Sequence, residues 1–167
     1  MIICETGRLV IREFEIRDAA SLYALNSCPE IMQFIPGKPS ASVVEAEKIL
    51  REVILEDYRQ QGFGRWAVEH KQNGEVIGFC GPKYLPDFDK VELGYRYFKP
   101  YWGKGIGYEA ALAVLAVMPD YCHCQDVIAL IDPDNIGSAK LAQKLHMHVM
   151  GMSELLGRPM QIYHKWL

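Results

Sequence analysis

From Tyr101 to Ala111 the chain reads Tyr-Trp-Gly-Lys-Gly-Ile-Gly-Tyr-Glu-Ala-Ala, with glycine at alternate positions 103, 105 and 107. Glycine serves where φ must be positive or where another group must come against the main chain. Lys104 adds a cation. The stretch from Tyr108 to Met118, rich in Ala and Leu and free of internal Gly and Pro, predicts a helix that starts just after the glycines. The free N–H groups and the dipole at a helix start both favour an anion, so the chemistry on offer is phosphate binding. A P-loop is excluded, because Lys104 is followed by Gly105 rather than Ser or Thr. A dinucleotide fingerprint fits Gly105, Gly107 and Ala110, with Asp132 as the ribose ligand. That fingerprint belongs directly after the first strand of a parallel sheet, whereas here six residues follow the strand ending at Phe98. Cys122-His123-Cys124 suggests a metal, but its spacing is tighter than C-x₂₋₄-C and no second pair stands nearby, so it reads as structural.

These residues need elements to hold them. Arg8 to Phe14 alternates, Leu9 and Ile11 against Val10 and Arg12, and predicts a strand. Asp18 is a candidate N-cap for a helix running to about Asn26. Cys28-Pro29 and Pro36 to Ser40 are breaks. Ser42 to Tyr58 is the longest predicted helix, with Val43, Ala46, Ile49, Leu50, Val53 and Ile54 along one stripe, and Gln61-Gly62 ends it. Strands at Arg65 to His70 and Val76 to Tyr84 are joined by Asn73-Gly74, a strong hairpin signal. After a turn at Pro86-Asp87, Val91 to Phe98 continues the meander up to the glycine stretch. Asp126 to Ile131 is a further strand. Asp134 or Asn135 caps a helix from Ile136 to Leu145, and Val149 to Met152 and Gln161 to Leu167 close the chain as strands. The alternation supports an α+β (mixed α/β) fold in a single domain, residues 1–167.

Composition narrows the classes. At 167 residues and net charge −3 the chain has no general attraction to nucleic acid or anionic membrane. No segment approaches the ~20 apolar residues of a membrane span, and Met1 to Glu5 lacks an export signal. Five cysteines with no such signal point to reduced thiols, hence a cytoplasmic protein.

Two stretches carry a family resemblance. Tyr101-Trp102-Gly103-Lys104-Gly105 with Glu109-Ala110 resembles the acyl-CoA pyrophosphate loop of the GNAT superfamily of N-acetyltransferases. Its pattern is [QR]-x-x-G-x-[GA], and Trp102 stands at the Gln/Arg position, as is ordinary in the branch of ribosomal-protein N-terminal acetyltransferases. Asp132 to Leu145 resembles the second signature through Asn135, Ser138 and Lys144-Leu145. His146-Met147 replaces Gly-Phe, so a different helix end is expected there. Thr6 to Phe14, followed by Asp18-Ala19, also resembles the opening of that branch.

The resemblance implies a mostly antiparallel central sheet, split around the acyl-CoA site and flanked by about four helices. It implies acetyl-CoA as cosubstrate, with no metal. Gly103, Lys104, Gly105, Ile106, Gly107 and Tyr108 would hold the pyrophosphate, and the backbone of Arg96, Tyr97 and Phe98 the pantetheine arm. Asn135 and Ser138 would line the thioester end, and Lys140 or Lys144 could meet the outer phosphates or simply be solvated.

The implied reaction needs a neutral amine. A lysine amine is neutral in well under about 1% of molecules at pH 7, whereas an α-amine needs far less help from a base. Glu92, between apolar Val91 and Leu93 on the strand before the loop, is the candidate base; the alternative is a strand Glu paired with a cation. Ser138 matches the residue proposed in the branch to protonate the thiolate, with Tyr163 as runner-up; alternatively it bonds backbone in the first helical turn. Cys80 would imply a ping-pong route, but no His or acid pairs with it in the sequence. Phe34-Ile35-Pro36 and the following helix are expected to border the acceptor, a small-molecule or peptide N-terminal amine. The chain is expected to act as monomer or homodimer. A catalytically inactive acyl-CoA-binding module and a nicotinamide-dependent oxidoreductase are the competing readings.

Overall fold

The computed structural model describes residues 1–167. Alternating apolar residues build one eight-stranded sheet, in the order β1-β2-β3-β4-β5-β6-β8-β7. Its strands are β1 (Ile2–Glu5), β2 (Leu9–Glu13), β3 (Trp66–His70), β4 (Glu75–Leu85), β5 (Lys90–Tyr97), β6 (Asp126–Ile131), β7 (His148–Leu155) and β8 (Arg158–Trp166). Every neighbouring pair is antiparallel except β5–β6. The edge strand β1 was not expected from the sequence: it is four residues long and its inward positions, Ile3 and Cys4, are only half-buried. The Asn73-Gly74 turn joins β3 to β4, with Gly74 at φ +69° and Asn73 Oδ1 accepting from Glu75 N at 3.1 Å.

Because side chains alternate across a sheet, each face carries its own core. Leu9, Ile11, Val68, Leu93 and Tyr97 pack on one face against helix α5 (Ile106–Cys122) through Ala110, Val114 and Met118. Phe14, Ala67 and Phe79 pack on the other against α1 (Ala19–Ser27) and the helical run that follows. That run comprises α3 (Val43–Ile49), a π-helical turn at Leu50–Ile54 and α4 (Leu55–Gln61). Ser42 caps it, its hydroxyl accepting from Glu45 N at 3.1 Å, and Gly62 ends it at φ +79°. The short α2 (Pro29–Met32) and α6 (Ile136–Lys144) complete the helical elements.

Asp18 stands at the N-cap position of α1, but its carboxylate does not cap that helix. It accepts from Glu15 N at 2.7 Å and from both Nη atoms of the buried Arg12 at 2.8 and 3.0 Å. No helix is long and apolar enough to cross a membrane.

Candidate active site

The parallel pair β5–β6 is joined by one bridge, Glu92 to Ile128. Beyond it the strands part and leave a cleft of ≈ 230 Å³, walled by Tyr95 and Arg96 on β5, by Ala129 to Ile131 on β6, and by Asn135 and Ser138 at the start of α6. Which backbone groups face this gap follows from register. Phe98 N donates to Ile77 O at 3.0 Å, so the even-numbered residues of β5 direct their N–H and C=O to β4. Arg96 and Phe98 are therefore spoken for. Tyr97 faces the gap as expected, and Tyr95 joins it. Trp102 Nε1 donates to Tyr97 O at 2.8 Å, which leaves Trp102 a structural tie between the strand end and the glycine turn.

In that turn Gly103 and Gly105 hold φ of +70° and +75°, the left-handed region that disfavours any Cβ. Helix α5 starts at Ile106, before the predicted Tyr108, with Gly105 as an N-cap that offers no side-chain acceptor. The first-turn N–H groups of Ile106, Gly107 and Tyr108 are thus free for an anion. Gly107 has a packing reason instead: a Cβ there would meet Leu141 Cδ2 and Tyr97 Cε2, each at 3.3 Å. The turn is anchored by the N-terminal segment. Arg8 Nη1 donates to Lys104 O at 2.9 Å and Arg8 Nε to Glu109 Oε2 at 2.7 Å, while Thr6 Oγ1 donates to Glu109 Oε1 at 2.5 Å. Burial alone would raise the Glu109 carboxyl, but these donors outweigh it and hold it below the usual carboxylate range. Lys144 Nζ lies 4.3 Å from the Tyr108 ring centroid and Lys104 Nζ 6.0 Å from that of Tyr101.

The cleft carries more charge than the sequence suggested. Glu92 is not an isolated carboxylate on an apolar strand: its Oε2 is bonded by Arg65 Nη2, while Oε1 has no partner within the chain. Arg65 also donates to Gly81 O at 2.7 Å and Glu92 O at 3.3 Å. Its guanidinium lies where a Cβ on Gly94 would be, so Gly94 is the space that admits it. Arg96 lies over the Phe79 ring, Cζ 5.2 Å from the centroid, and Arg65 flanks the same ring at 5.9 Å. The alternation of Glu92, Gly94 and Arg96 on one face was a readable signal, whereas Arg65 and Phe79 reach the site only through pairing of β3, β4 and β5.

Asn135 caps α6, its Oδ1 accepting from Ser138 N at 3.2 Å. Tyr95 OH donates to Ser138 O at 3.1 Å, and burial pushes the Tyr95 phenol up. The Ser138 hydroxyl borders the cleft, within reach of the Tyr95 phenol. Tyr163 is buried elsewhere, its OH 3.4 Å from Gln161 Oε1, and does not border the cleft. Cys80 is fully buried and burial pushes its thiol up to about 12, which disqualifies it as a nucleophile. Asp132 is committed as well: Oδ2 accepts from Arg158 Nη2 at 2.6 Å and Oδ1 from Asp134 N at 2.9 Å. With that ribose ligand occupied and the glycine turn following an antiparallel meander, the nicotinamide reading falls. No three His, Cys, Asp or Glu side chains converge anywhere in the chain.

Comparison with known proteins agrees with this fold. YkkB, an uncharacterized protein of Bacillus subtilis, is 30% identical over 166 residues, covering 96% of this chain and 93% of that protein. A ribosomal-protein alanine acetyltransferase of Vibrio fischeri superposes with TM-score 0.79 at 18% identity, covering 98% of this chain and 95% of that one. A ribosomal α-N-protein acetyltransferase in complex with coenzyme A gives TM-score 0.84 at 18% identity, covering 100% and 98%. At such identities the two structures are similar in fold. A family model described as acetyltransferase (GNAT) domain matches residues 8–148, a span that contains the glycine turn and the β5, β6 and α6 walls of the cleft. The chain belongs to the GNAT acetyltransferase family.

Proposed function

We propose that the protein moves an acetyl group from acetyl-CoA to a primary amine, a small molecule or a peptide N-terminus, by direct attack in a ternary complex. The observation that carries this reading is the parting of β5 and β6 after one bridge, with the uncapped turn of α5 at one end of the gap and Glu92, Asn135 and Ser138 around the cleft. Acetyl-CoA supplies an activated acyl group whose carbonyl carbon accepts the amine nitrogen as the C–S bond breaks and the CoA thiol leaves.

The chain's own residues divide the remaining work. The N–H groups of Ile106, Gly107 and Tyr108, with Lys104, would hold the pyrophosphate. The gap-facing N–H groups of Tyr95 and Tyr97 would bond the pantetheine arm. Glu92 Oε1 takes the proton that the amine loses, directly or through a water, while Arg65 keeps Oε2 fixed. The Ser138 hydroxyl, at the edge of the cleft, gives its proton to the departing sulfur and recovers one from solvent.

A thermal-shift comparison with acetyl-CoA, CoA and NADH tests the cosubstrate. A ligand held at 100 times its Kd stabilises the folded state by about 2.7 kcal/mol. A shift with both CoA forms and none with NADH is expected; no shift with either CoA form would overturn the reading. For the roles, thiol release from acetyl-CoA should fall about 10²-fold in kcat for Ser138→Ala, and for Glu92→Gln most steeply with amines of high pKa. Acetyl-CoA affinity should stay unchanged in both variants. Full turnover in both would leave the two residues without catalytic roles.

A further inference from the structure

Each arginine of the chain except Arg96 has a carboxylate within ion-pair distance. Arg96 is also the one whose surroundings supply the least. It is largely buried in the wall of the cleft, its Nη1 donates to the neutral Asn26 Oδ1, and its Nε has no partner. Burial first, and Arg65 second, push its guanidinium down to about 10. The other charges around the cleft cancel in pairs, Arg65 with Glu92 and Arg158 with Asp132. One positive charge is left over, among Phe34, Ile35, Pro36, Phe79 and Leu93.

A guanidinium removed from water without a counter-charge is costly. Its planar fork of donors suits a carboxylate or phosphate. Arg96 shares a face of β5 with Glu92, about 13 Å away along the strand at the Cα atoms. An acceptor seated against Phe79 can therefore present its amine to Glu92 and a second group to Arg96. We infer that the acceptor is an amine that also carries an anionic group, carboxylate or phosphate, and that Arg96 is the residue that selects it. The inference rests on the acetyl-transfer reading and names the acceptor class for that same cleft.

Amines offered in matched pairs, with acetyl-CoA saturating, test it. Amino acids are compared with their amides, amino-sugar phosphates with the free amino sugars, and peptides with acidic second residues with the corresponding amide-side-chain peptides. The anionic member of at least one pair should be favoured about 10- to 100-fold in kcat/KM, as for a hydrogen bond to a charged group. Which pair responds separates a carboxylate from a phosphate. Arg96→Met should bring the members of that pair to within a few-fold of each other, chiefly through KM, and Arg96→Lys should restore part of the preference.

Thermal melts verify that both variants fold. If no amine turns over, binding decides. Succinate and inorganic phosphate are titrated into the CoA-saturated protein, where the glycine turn is occupied, and must bind the wild type at least tenfold more tightly than Arg96→Met. Equal binding, or a preference that survives Arg96→Met, overturns the inference. So does Arg96→Met weakening acetyl-CoA itself while leaving the acceptor preference intact. Failure of acetyl-CoA and CoA to bind at all strikes the acetyl-transfer reading instead, and the same anion titration on the unliganded protein then decides the role of Arg96.

Discussion

Arg12 and Asp18 are buried charges that hold β2 to the start of α1, and Glu69 on β3 completes the group through Arg12 Nε at 2.9 Å. Burial alone would raise the Asp18 carboxyl; the Arg12 guanidinium and the Glu15 N–H outweigh it and hold it below its ordinary value. A depressed carboxyl stabilises the fold fully above its unfolded pKa, about 3.9, and the contribution is lost as pH falls through the lower folded value. Asp18→Asn leaves Arg12 with Glu69 alone, so a loss of roughly 3 kcal/mol is expected at pH 7. The gap from wild type should narrow below about pH 4. Urea melts at pH 7 and pH 3 check both parts; equal stability at pH 7, or a gap that persists in acid, would refute the account. The alternation around Leu9, Ile11 and Arg12 was legible in the sequence, but the direction of Asp18 was not. A carboxylate beside a helix start has two competing donors, the first-turn N–H groups and any guanidinium brought near by pairing, and here the guanidinium wins.

At the scale of elements, α6 shows a helix end that the sequence described wrongly. His146 stands where glycine was expected, and a different termination followed as the expectation. The structure keeps the glycine geometry: His146 sits at φ +60°, its N–H donates to Gln143 O at 2.9 Å, and Met147 N donates to Ala142 O at 2.9 Å. These are the two bonds of a Schellman motif, with Met147 buried beyond it. The left-handed conformation costs a Cβ-bearing residue roughly 1–2 kcal/mol, part of which glycine returns through its freer unfolded chain. His146→Gly should therefore raise stability by roughly 0.5 kcal/mol, read as a higher urea midpoint with unchanged slope; a lower midpoint would count against the motif. Helix α5 errs the other way. The sequence predicted an end at Met118, yet the helix runs on through Pro119 to Cys122, and Tyr121 packs edge-on against Trp66 with centroids 5.3 Å apart. Tertiary contact holds a last turn that local propensity would end.

For the molecule as a whole, the gap between β5 and β6 is its least bonded seam. The amides of Tyr95 and Tyr97 face it without backbone partners, while those of Gly94 and Arg96 are bonded to β4. Hydrogen exchange should find Tyr95 and Tyr97 exchanging faster than Gly94 and Arg96 in the unliganded protein, and slowing at least tenfold when CoA is added. Uniform protection without ligand would mean that the seam is closed. Acid should loosen the same region. Asp126, bonded by Lys90 Nζ at 2.5 Å and His164 Nε2 at 2.9 Å, links β5, β6 and β8; burial alone would raise it, yet these partners hold it below its usual value. Its contribution is lost as pH falls below about 4, so exchange at Val127 and Ile128 should rise in that range more than at Val68.

The sequence by itself determined the order of the strands from β2 onward and of the longer helices, the hairpin at Asn73-Gly74, the glycine turn and the family. Each of these rests on interactions within a few residues: side-chain period, turn chemistry, motif spacing. Only the tertiary structure decided that Glu92 is paired to Arg65, that Ser138 borders the cleft beside Tyr95, and that Tyr95 rather than Arg96 or Phe98 offers its backbone to the gap. It also decided that Arg96 stands in the cleft without a counter-charge. Those facts depend on which strands lie side by side and in what register, and pairing between residues far apart in the chain leaves no local trace in the sequence.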